Sequence, residues 1–381
     1  GHDGLDAPDA PTIGTPSAGS TQADVAFTAG AAGTTATTEF VATTNDGIGA
    51  TGTSSPITIT GLTNGTSYTA RVYAKNSHGT SAASEASASF TPLPEVISGL
   101  FSTHLYDGTS SSLTINNGID LSGKGGLTWI KARNFGSSNH ALFDTARGGG
   151  KYLQSNQTLG QETPGSAPLT FNSNGFTINT QADSWNGTDY SNEYVSWTWR
   201  KASKFFDIVT YTGNGTAGRT VSHNLGSVPG MFIVKEYGAN GENWSVYHRG
   251  LGATKTISLN RTNAASDSIN HWNNTAPTNS VFTLGDEAGV NGNGKSFIAY
   301  LFAHNDGDGG FGPDSEDIIK CGGYTGNGTE QDINLGFEAQ WVIVKRTDGT
   351  GRWFMFDAMR GVVSDGNDAY LRANAEDAEN T

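Results

Sequence analysis

The sequence contains a single cysteine, Cys321, among its 381 residues. An intrachain disulfide is therefore impossible, which excludes a small fold held together by disulfides. No apolar run approaches the ~18 residues that a membrane helix needs, and the N-terminal segment lacks the pattern of a signal peptide. We therefore expect no membrane insertion. The start at Gly1 and His2 is not a native initiator, which favours a fragment or a processed product.

Positive charge is also scarce. The 22 lysines and arginines face 36 acidic residues, which gives a net charge of −14. A chain with this balance has no general attraction for nucleic-acid phosphate or anionic lipid. We therefore expect no nucleic-acid partner.

Motifs that support catalysis are missing as well. The 8 histidines are scattered, and no His-Glu-x-x-His, Gly-x-Ser-x-Gly or Walker pattern occurs. No pair of carboxylates stands out as a glycosidase site. The sequence therefore predicts a protein that is not an enzyme and has no catalytic residues.

Glycine is abundant, at 52 residues, and short apolar stretches recur between turn residues. Glycine, asparagine, serine and threonine favour turns and strands over long helices. The composition and the spacing of the strands predict an all-β fold built of sandwiches.

The first predicted domain covers residues 7–94. Period-two strands such as Phe40-Val41-Ala42 and Arg71-Val72-Tyr73 are separated by turn signals such as Asn64-Gly65. The stretch from Leu62 to Asn76 resembles a fibronectin type III domain. That resemblance implies a seven-stranded sandwich and a corner formed by Tyr68, whose hydroxyl is tied to nearby backbone.

A long internal repeat follows this domain. An apolar strand ending in lysine recurs at Lys131, Lys235 and Lys345, 104 and 110 residues apart. A repeat of this length is a duplicated domain. It predicts β-sandwich copies at 98–204 and 205–305, an acidic glycine-rich linker at 306–317, and an incomplete copy at 318–381.

The third copy is predicted to be incomplete because of one spacing. In the first two copies a Phe-Thr strand follows Arg147 by 29 residues and Arg249 by 33 residues. In the third copy the same strand would fall near 389–393. We therefore expect the natural protein to continue, or a neighbouring chain to supply the missing strands.

Two family resemblances accompany the repeat. The motifs at Tyr211–Thr216, His223–Gly230 and Tyr324–Thr329 resemble domains of tail fibre proteins of marine and cyanobacterial phages. The first copy, with Trp129-Ile130-Lys131 and Tyr194–Trp197, resembles concanavalin-like sandwiches of the laminin G or jelly-roll type. These resemblances imply tandem sandwiches in a virion fibre.

The recurring polar residues are interpreted as structural. A lysine that recurs in every copy is unlike a catalytic residue, which is rarely triplicated with its scaffold. Asp144 with Arg147, and Asp357 with Arg360, are predicted to form ion pairs that frame a turn. The second copy has His248 at this point.

Weak ligand candidates lie in loops. Trp185, Tyr190, His271 and Trp272 are in Asn/Gly/Asp-rich loops, where exposed aromatic rings can stack on sugars. Asp306, Asp308 and Asp314 are candidate calcium ligands in the linker. The alternatives are packing beneath the loops for the aromatic residues and a flexible acidic linker for the aspartates.

The function that these observations and resemblances favour is a non-catalytic structural or adhesive part of a bacteriophage tail fibre. The expected partners are copies of the chain itself, preferably as a trimer, other tail proteins, and a host-surface glycan or protein. Such a protein is made in the host cytoplasm and acts outside it, on the virion. The alternative is a cell-surface or secreted carbohydrate-binding adhesin.

Overall fold

The computed structural model describes residues 6–93, 97–164, 166–179, 184–188, 193–239, 241–312, 315–361 and 368–381. The chain divides into two compact units. The first comprises Gly1–Val96 with Gly310–Glu316, and the second comprises Ile97–Gly309 with Asp317–Thr381.

The first unit is a β-sandwich of the fibronectin type III kind. Sheets of order β2-β3-β7 and β6-β5-β8-β9 enclose its core, and β1 pairs with β4. Its strands are β1 (Thr12–Ile13), β2 (Ser17–Gly19), β3 (Gln22–Val25), β4 (Phe27–Thr28), β5 (Glu39–Thr44), β6 (Gly49–Gly52), β7 (Ile57–Thr60), β8 (Ala70–Asn76) and β9 (Gly79–Thr80).

The predicted tyrosine corner is confirmed. Tyr68 is buried, and its hydroxyl accepts a hydrogen bond from the backbone N–H of Thr63 at 3.0 Å. The tyrosine backbone also pairs with Phe90 near the end of the unit. The corner therefore ties the Leu62–Ser67 turn to the core.

The first repeat copy forms two sheets of its own, of order β10-β16-β12-β13 and β11-β15-β14. A short 3-10 helix (Ile97–Gly99) precedes it. Its elements are β10 (Phe101–Asp107), β11 (Leu113–Asn116), α1 (Leu121–Lys124), β12 (Gly126–Ala132), β13 (Ala141–Asp144), β14 (Leu169–Asn172), β15 (Gly175–Ile178) and β16 (Glu193–Arg200).

The second copy repeats this plan, with sheets of order β17-β24-β19-β20-β21-β22 and β18-β23. Its elements are β17 (Phe206–Thr212), β18 (Arg219–Ser222), β19 (Met231–Glu236), β20 (Ser245–His248), β21 (Lys255–Ser258), β22 (Ser266–Asp267), α2 (Ile269–Trp272), β23 (Val281–Leu284), α3 (Ala288–Asn291) and β24 (Ser296–Phe302).

The third copy forms one three-stranded sheet of order β25-β26-β27, made of β25 (Trp341–Lys345), β26 (Trp353–Asp357) and β27 (Leu371–Arg372). Residues 318–340 are described throughout and contain no strand. The predicted all-β class is confirmed, because each of the three α-helices among the described residues has 4 residues. No helix in the described ranges is long and apolar enough to cross a membrane.

The three copies share one compact unit, although each keeps its own sheets. Their central strands are buried on both faces: every residue of β12 and of β19 is buried. One face covers the copy's own core, which in copy one includes Ile130 and Phe143. The opposite face carries Trp129 and Lys131 and contacts the other copies.

Candidate functional site

The candidate functional site is a set of side-chain contacts between the three copies, which we call joints. The first type uses a ring N–H that donates to a backbone carbonyl of another copy. The donors lie at equivalent positions, four residues before the last residue of β13, β20 and β26. The bonds are His140 Nε2 to Arg372 O at 3.0 Å, Trp244 Nε1 to Gln154 O at 3.0 Å, and Trp353 Nε1 to Ser258 O at 2.9 Å.

The acceptors are equivalent as well. Each lies two residues before an asparagine whose side-chain oxygen accepts the backbone N–H of the donor residue in its own copy, namely Asn156, Asn260 and Asn374. Copy one thus bonds to copy three, copy two to copy one, and copy three to copy two. These three bonds close a ring with approximate threefold symmetry.

A second type of joint uses the recurring lysines. Lys235 Nζ donates to Glu242 O at 2.7 Å in its own copy and to Thr158 O at 3.1 Å in copy one. Lys345 Nζ donates to Arg346 O and, at 3.4 Å, to Thr262 O of copy two. Thr158 and Thr262 are equivalent residues, so these bonds follow the same direction around the ring.

The first lysine completes the set. Lys131 is fully buried, its Nζ donates to Ala132 O at 2.8 Å, and the acidic groups Asp377 and Glu376 of copy three face it. Burial lowers the pKa of Lys131 and of Lys235 to about 8, and the neighbouring carboxylates oppose this shift. Lys235 and Lys345 therefore bind backbone carbonyls of a neighbouring copy, whereas Lys131 binds a carbonyl of its own copy and faces the carboxylates of copy three.

The third type of joint joins an aromatic donor to a buried carboxylate. Tyr300 Oη donates to Asp144 Oδ2 at 2.7 Å, and Trp197 Nε1 donates to Asp357 Oδ2 at 2.9 Å. Each aspartate is also held by the arginine three residues later, Arg147 at 2.7 Å and Arg360 at 2.6 Å from Nε to Oδ2. The predicted ion pairs are confirmed, and they hold the carboxylates that bind the neighbouring copy.

The environment of His140 fixes its protonation. Trp129 Nε1 donates to His140 Nδ1 at 2.8 Å, so the proton of the neutral ring lies on Nε2 and points to Arg372 O. Burial and the nearby Lys131 charge lower the pKa of His140 to about 3. His140 is therefore neutral at physiological pH and acts as a fixed donor.

The aromatic residues predicted to stack on sugars occupy other surroundings. Trp185 is buried against Phe143 and Tyr152, and Trp272 is buried against Phe232 and Tyr247. The expectation that these indoles are exposed is wrong, because their apolar area completes the cores beneath their polar loops.

The other two aromatic candidates differ from the indoles. His271 is half-buried, with Nδ1 at 2.7 Å from Ser268 Oγ, and burial lowers its pKa to about 4. Tyr190 lies outside the described residues. A sugar-binding role for these positions stays a prediction.

The candidate calcium ligands lie in a hydrogen-bonded loop. Asp308 Oδ1 accepts the N–H of Asp306, and the Asp317 carboxylate accepts the N–H groups of Gly307 and Gly309. Asp314 lies outside the described residues. Within the described ranges no group of three or more His, Cys, Asp or Glu side chains could hold a metal.

An open polar cleft of about 710 Å³ lies on copy two. It is lined by Arg249, Asn279, His304, Asp306 and Asp308, together with Tyr247 and an apolar turn at Val228–Pro229. Arg249 is exposed, and among the described residues its hydrogen bond is that of its backbone N–H to Gly230 O, with none from its guanidinium. The cleft therefore offers a free cation beside amide, imidazole and carboxylate groups.

Inspection of the sequence missed the joints. Alignment of the three copies brings His140, Trp244 and Trp353 to one position, three large rings with an N–H at the start of an apolar strand. This shared N–H donor was the feature of the sequence from which the contacts between copies could have been predicted.

Three solved structures show distant likenesses to the chain. The chain is 12% identical to the chicken CNTN1 FN1-FN3 domains, over 78% of this chain and 94% of that chain, with a TM-score of 0.21. It is 11% identical to titin kinase and its flanking domains, over 51% of this chain, and 13% identical to the twitchin kinase region from C. elegans, over 52%; the TM-scores are 0.21 and 0.22. The chain spans 38% and 41% of the lengths of these last two. These scores are too low to establish a shared overall architecture.

No curated protein matches the sequence. A family model described as "Domain of unknown function (DUF7483)" matches residues 97–381, which contain the three repeat copies and their joints. The match covers most of the sequence, and the chain therefore belongs to the DUF7483 family.

Proposed function

We propose that this chain is a non-catalytic structural and adhesive component of a bacteriophage tail fibre or a related host-contacting appendage. It acts on the virion as a stiff set of β-modules that presents a contact surface to the host. Its proposed partners are other tail proteins, further copies of itself, and a glycan or protein of the host surface.

The observation that carries this proposal is the ring of joints between the three copies. Side chains that elsewhere perform chemistry, such as Lys131, Lys235 and His140, here donate to backbone carbonyls. A buried network in which donors and acceptors are matched makes a unit rigid. Rigidity across three copies suits an appendage that must keep its contact surface in position.

The proposal is tested with antibodies raised against the purified chain. They are applied to virions isolated from the natural source of the sequence. We expect immunogold label at the tail of intact virions, and antibody fragments that reduce adsorption to the host. An antibody against the major capsid protein, which labels heads, is the matched control. Label found only on cells, with none on particles, would contradict the proposal.

A second candidate is a cell-surface or secreted carbohydrate-binding adhesin. The cleft at Arg249 favours it, because the guanidinium and the Asn279 amide offer hydrogen-bond donors, and the Asp306 and Asp308 carboxylates offer acceptors, for sugar hydroxyls. Glycan-array binding that is lost in Arg249→Ala and retained in the control Arg261→Ala would favour this candidate, provided that particles carry no label.

The proposed homo-oligomer is tested separately. Light scattering of the intact chain at micromolar concentration is expected to give a mass above that of one chain, with a trimer preferred. A folded monomer would remove this part of the proposal and leave the location on the virion open to the antibody test.

A further inference from the structure

The third copy has one strand edge without a partner among the described strands. The equivalent edges of the other two copies are each paired with a strand of the same copy. In copy one, β12 pairs with β13 on one side and with the closing strand β16 on the other. In copy two, β19 pairs in the same way with β20 and the closing strand β24. The equivalent β25 pairs with β26 and has no second neighbour among the described strands.

The same copy also has a half-covered apolar face. Along β26, Trp353, Met355 and Asp357 are buried toward the ring, whereas Phe354 and Phe356 are only half-buried. The corresponding face of copy two is buried beneath its second sheet, which contributes Phe282 and Leu284. The third sheet therefore has the inner face of a sandwich, and no second sheet among the described strands covers it.

The segment that precedes β25 shows the consequence. In copy two, β17 bonds to β24, and β18 bonds to β23, so both early strands depend on late ones. In copy three the corresponding residues 318–340 form no strand, and Tyr324 and Ile333 are 56% and 46% exposed. The motifs of the early strands are present, but among the described residues they pair with no strand.

The ring indicates which side chains the missing strand needs. The closing strands place an aromatic donor on a neighbouring copy, Trp197 on Asp357 and Tyr300 on Asp144. The third equivalent acceptor is His248, which receives no hydrogen bond from another copy among the described residues.

A second aromatic residue follows two positions later in each closing strand. These residues, Trp199 and Phe302, pack together with ring centroids 6.0 Å apart. Trp341 of β25 packs on Trp199 at 5.1 Å, and its buried indole N–H has no partner among the described atoms.

We propose that copy three is a receptor for a closing segment of the repeat type. This segment adds an antiparallel strand to the free edge of β25 and a layer to the Phe354–Phe356 face. It carries two aromatic residues in register with Ile343 and Trp341, and the first of them reaches His248. Binding also allows residues 318–340 to form the two strands that copies one and two already have.

A peptide with the sequence of residues 281–303, which contains β23, α3 and β24, serves as the probe for the full chain. We expect one peptide to bind per chain and to slow amide exchange at 341–345 by roughly tenfold or more, with protection extending into 318–340. A peptide with Tyr300→Ser and Phe302→Ser is the matched control and is expected to bind at least about tenfold more weakly.

A chain with residues 281–303 appended behind Thr381 through a flexible linker keeps the test valid if the free peptide is insoluble. It is expected to give the same protection without added peptide. Absence of protection in both formats would overturn the proposal, as would equal binding of the serine control. Protection of β25 that rises with chain concentration alone would also overturn it, in favour of a second copy as the occupant.

Discussion

The first unit and the repeat ring use the same kind of strand in different ways. In the first unit, buried and partly exposed residues alternate along β5, so one face covers the core and the other faces solvent. In the ring, β12 and β19 are buried at every position. Polar residues on the outer face of β5 and β8, such as Lys75, remain in contact with water, whereas Lys131 and Lys235 do not.

This difference determines how much of the protein a single substitution destabilises. A core residue of the first unit is surrounded by its own unit, so its substitution is expected to destabilise that unit. Joint residues of the ring such as Trp244 and Lys235 bind backbone carbonyls of another copy. We therefore expect mutations at the joints to destabilise two copies at once, and each prediction below compares the two regions.

The largest effect is expected for Trp244→Ala. The indole is fully buried, and its N–H donates to Gln154 O and Gln157 O of copy one at 3.0 and 3.1 Å. Loss of a buried tryptophan costs about 3–5 kcal/mol, and the two carbonyls lose their donor. Native-state hydrogen exchange is expected to show faster opening around 154–157 as well as in copy two.

The matched control is Ile59→Ala in the core of the first unit. A cost of about 2–5 kcal/mol is expected there too, but with exchange changed only within residues 7–93. If Trp244→Ala left copy one unchanged, the copies would be energetically independent despite their contacts.

The sequence predicted the strands, the tyrosine corner and the Asp–Arg pairs, because alternation, turn residues and short spacings are local signals. The second buried face could not be predicted in this way. Trp129 and Lys131 alternate with Ile130 as they would in a sheet with one solvent-exposed face. That face is buried only because the neighbouring copies pack against it. The indoles of Trp185 and Trp272 were misjudged for the opposite reason, since polar neighbours in sequence conceal an apolar environment in space.

The second prediction concerns a pair of positions that differ together between copies. Copy one has Trp129 with His140, whereas copies two and three have Ile233 with Trp244 and Ile343 with Trp353. His140→Trp alone places two indoles in one space, and this overpacking is expected to cost about 1–3 kcal/mol. Adding Trp129→Ile restores the combination of the other copies. The free energy of unfolding of the double variant, measured by thermal denaturation, should therefore lie within about 1.5 kcal/mol of that of the parent.

The double variant also tests the protonation of His140. Lys131 and Arg360 both lower the pKa of this histidine, in addition to burial. With a folded pKa of about 3 and an unfolded value near 6.5, its contribution to stability is lost as pH falls through this interval. At pH 5 this effect lowers the free energy of unfolding of the parent by about 2 kcal/mol. The double variant has no histidine at position 140 and should not show this loss. An unchanged acid response would contradict the buried neutral ring.

The third prediction uses the ring lysines. Their folded pKa values are about 8, below the ordinary value of 10.5, so the unfolded chain binds more protons above pH 8. Stability of the ring is therefore expected to rise between pH 7.5 and 9.5, by about 2 kcal/mol per lysine. Denaturant unfolding of Lys235→Met should show a smaller rise than the parent, and a rise of equal size would exclude Lys235 as its source.

The smallest effect is expected for the lysine on the outer face of the first unit. Lys75 pairs with Glu39 at 2.9 Å, but the two side chains are 42% and 38% exposed. Water screens such a pair, so Lys75→Met should change the free energy of unfolding by about 0–0.5 kcal/mol. The same substitution at Lys235 removes a donor shared by two carbonyls that are remote in sequence. Urea titrations of both variants at pH 7.5 compare one residue type in the two settings. Equal losses at the two positions would show that burial on the second face has no energetic consequence, and would remove the distinction between an independent sandwich and a ring of interlocked copies.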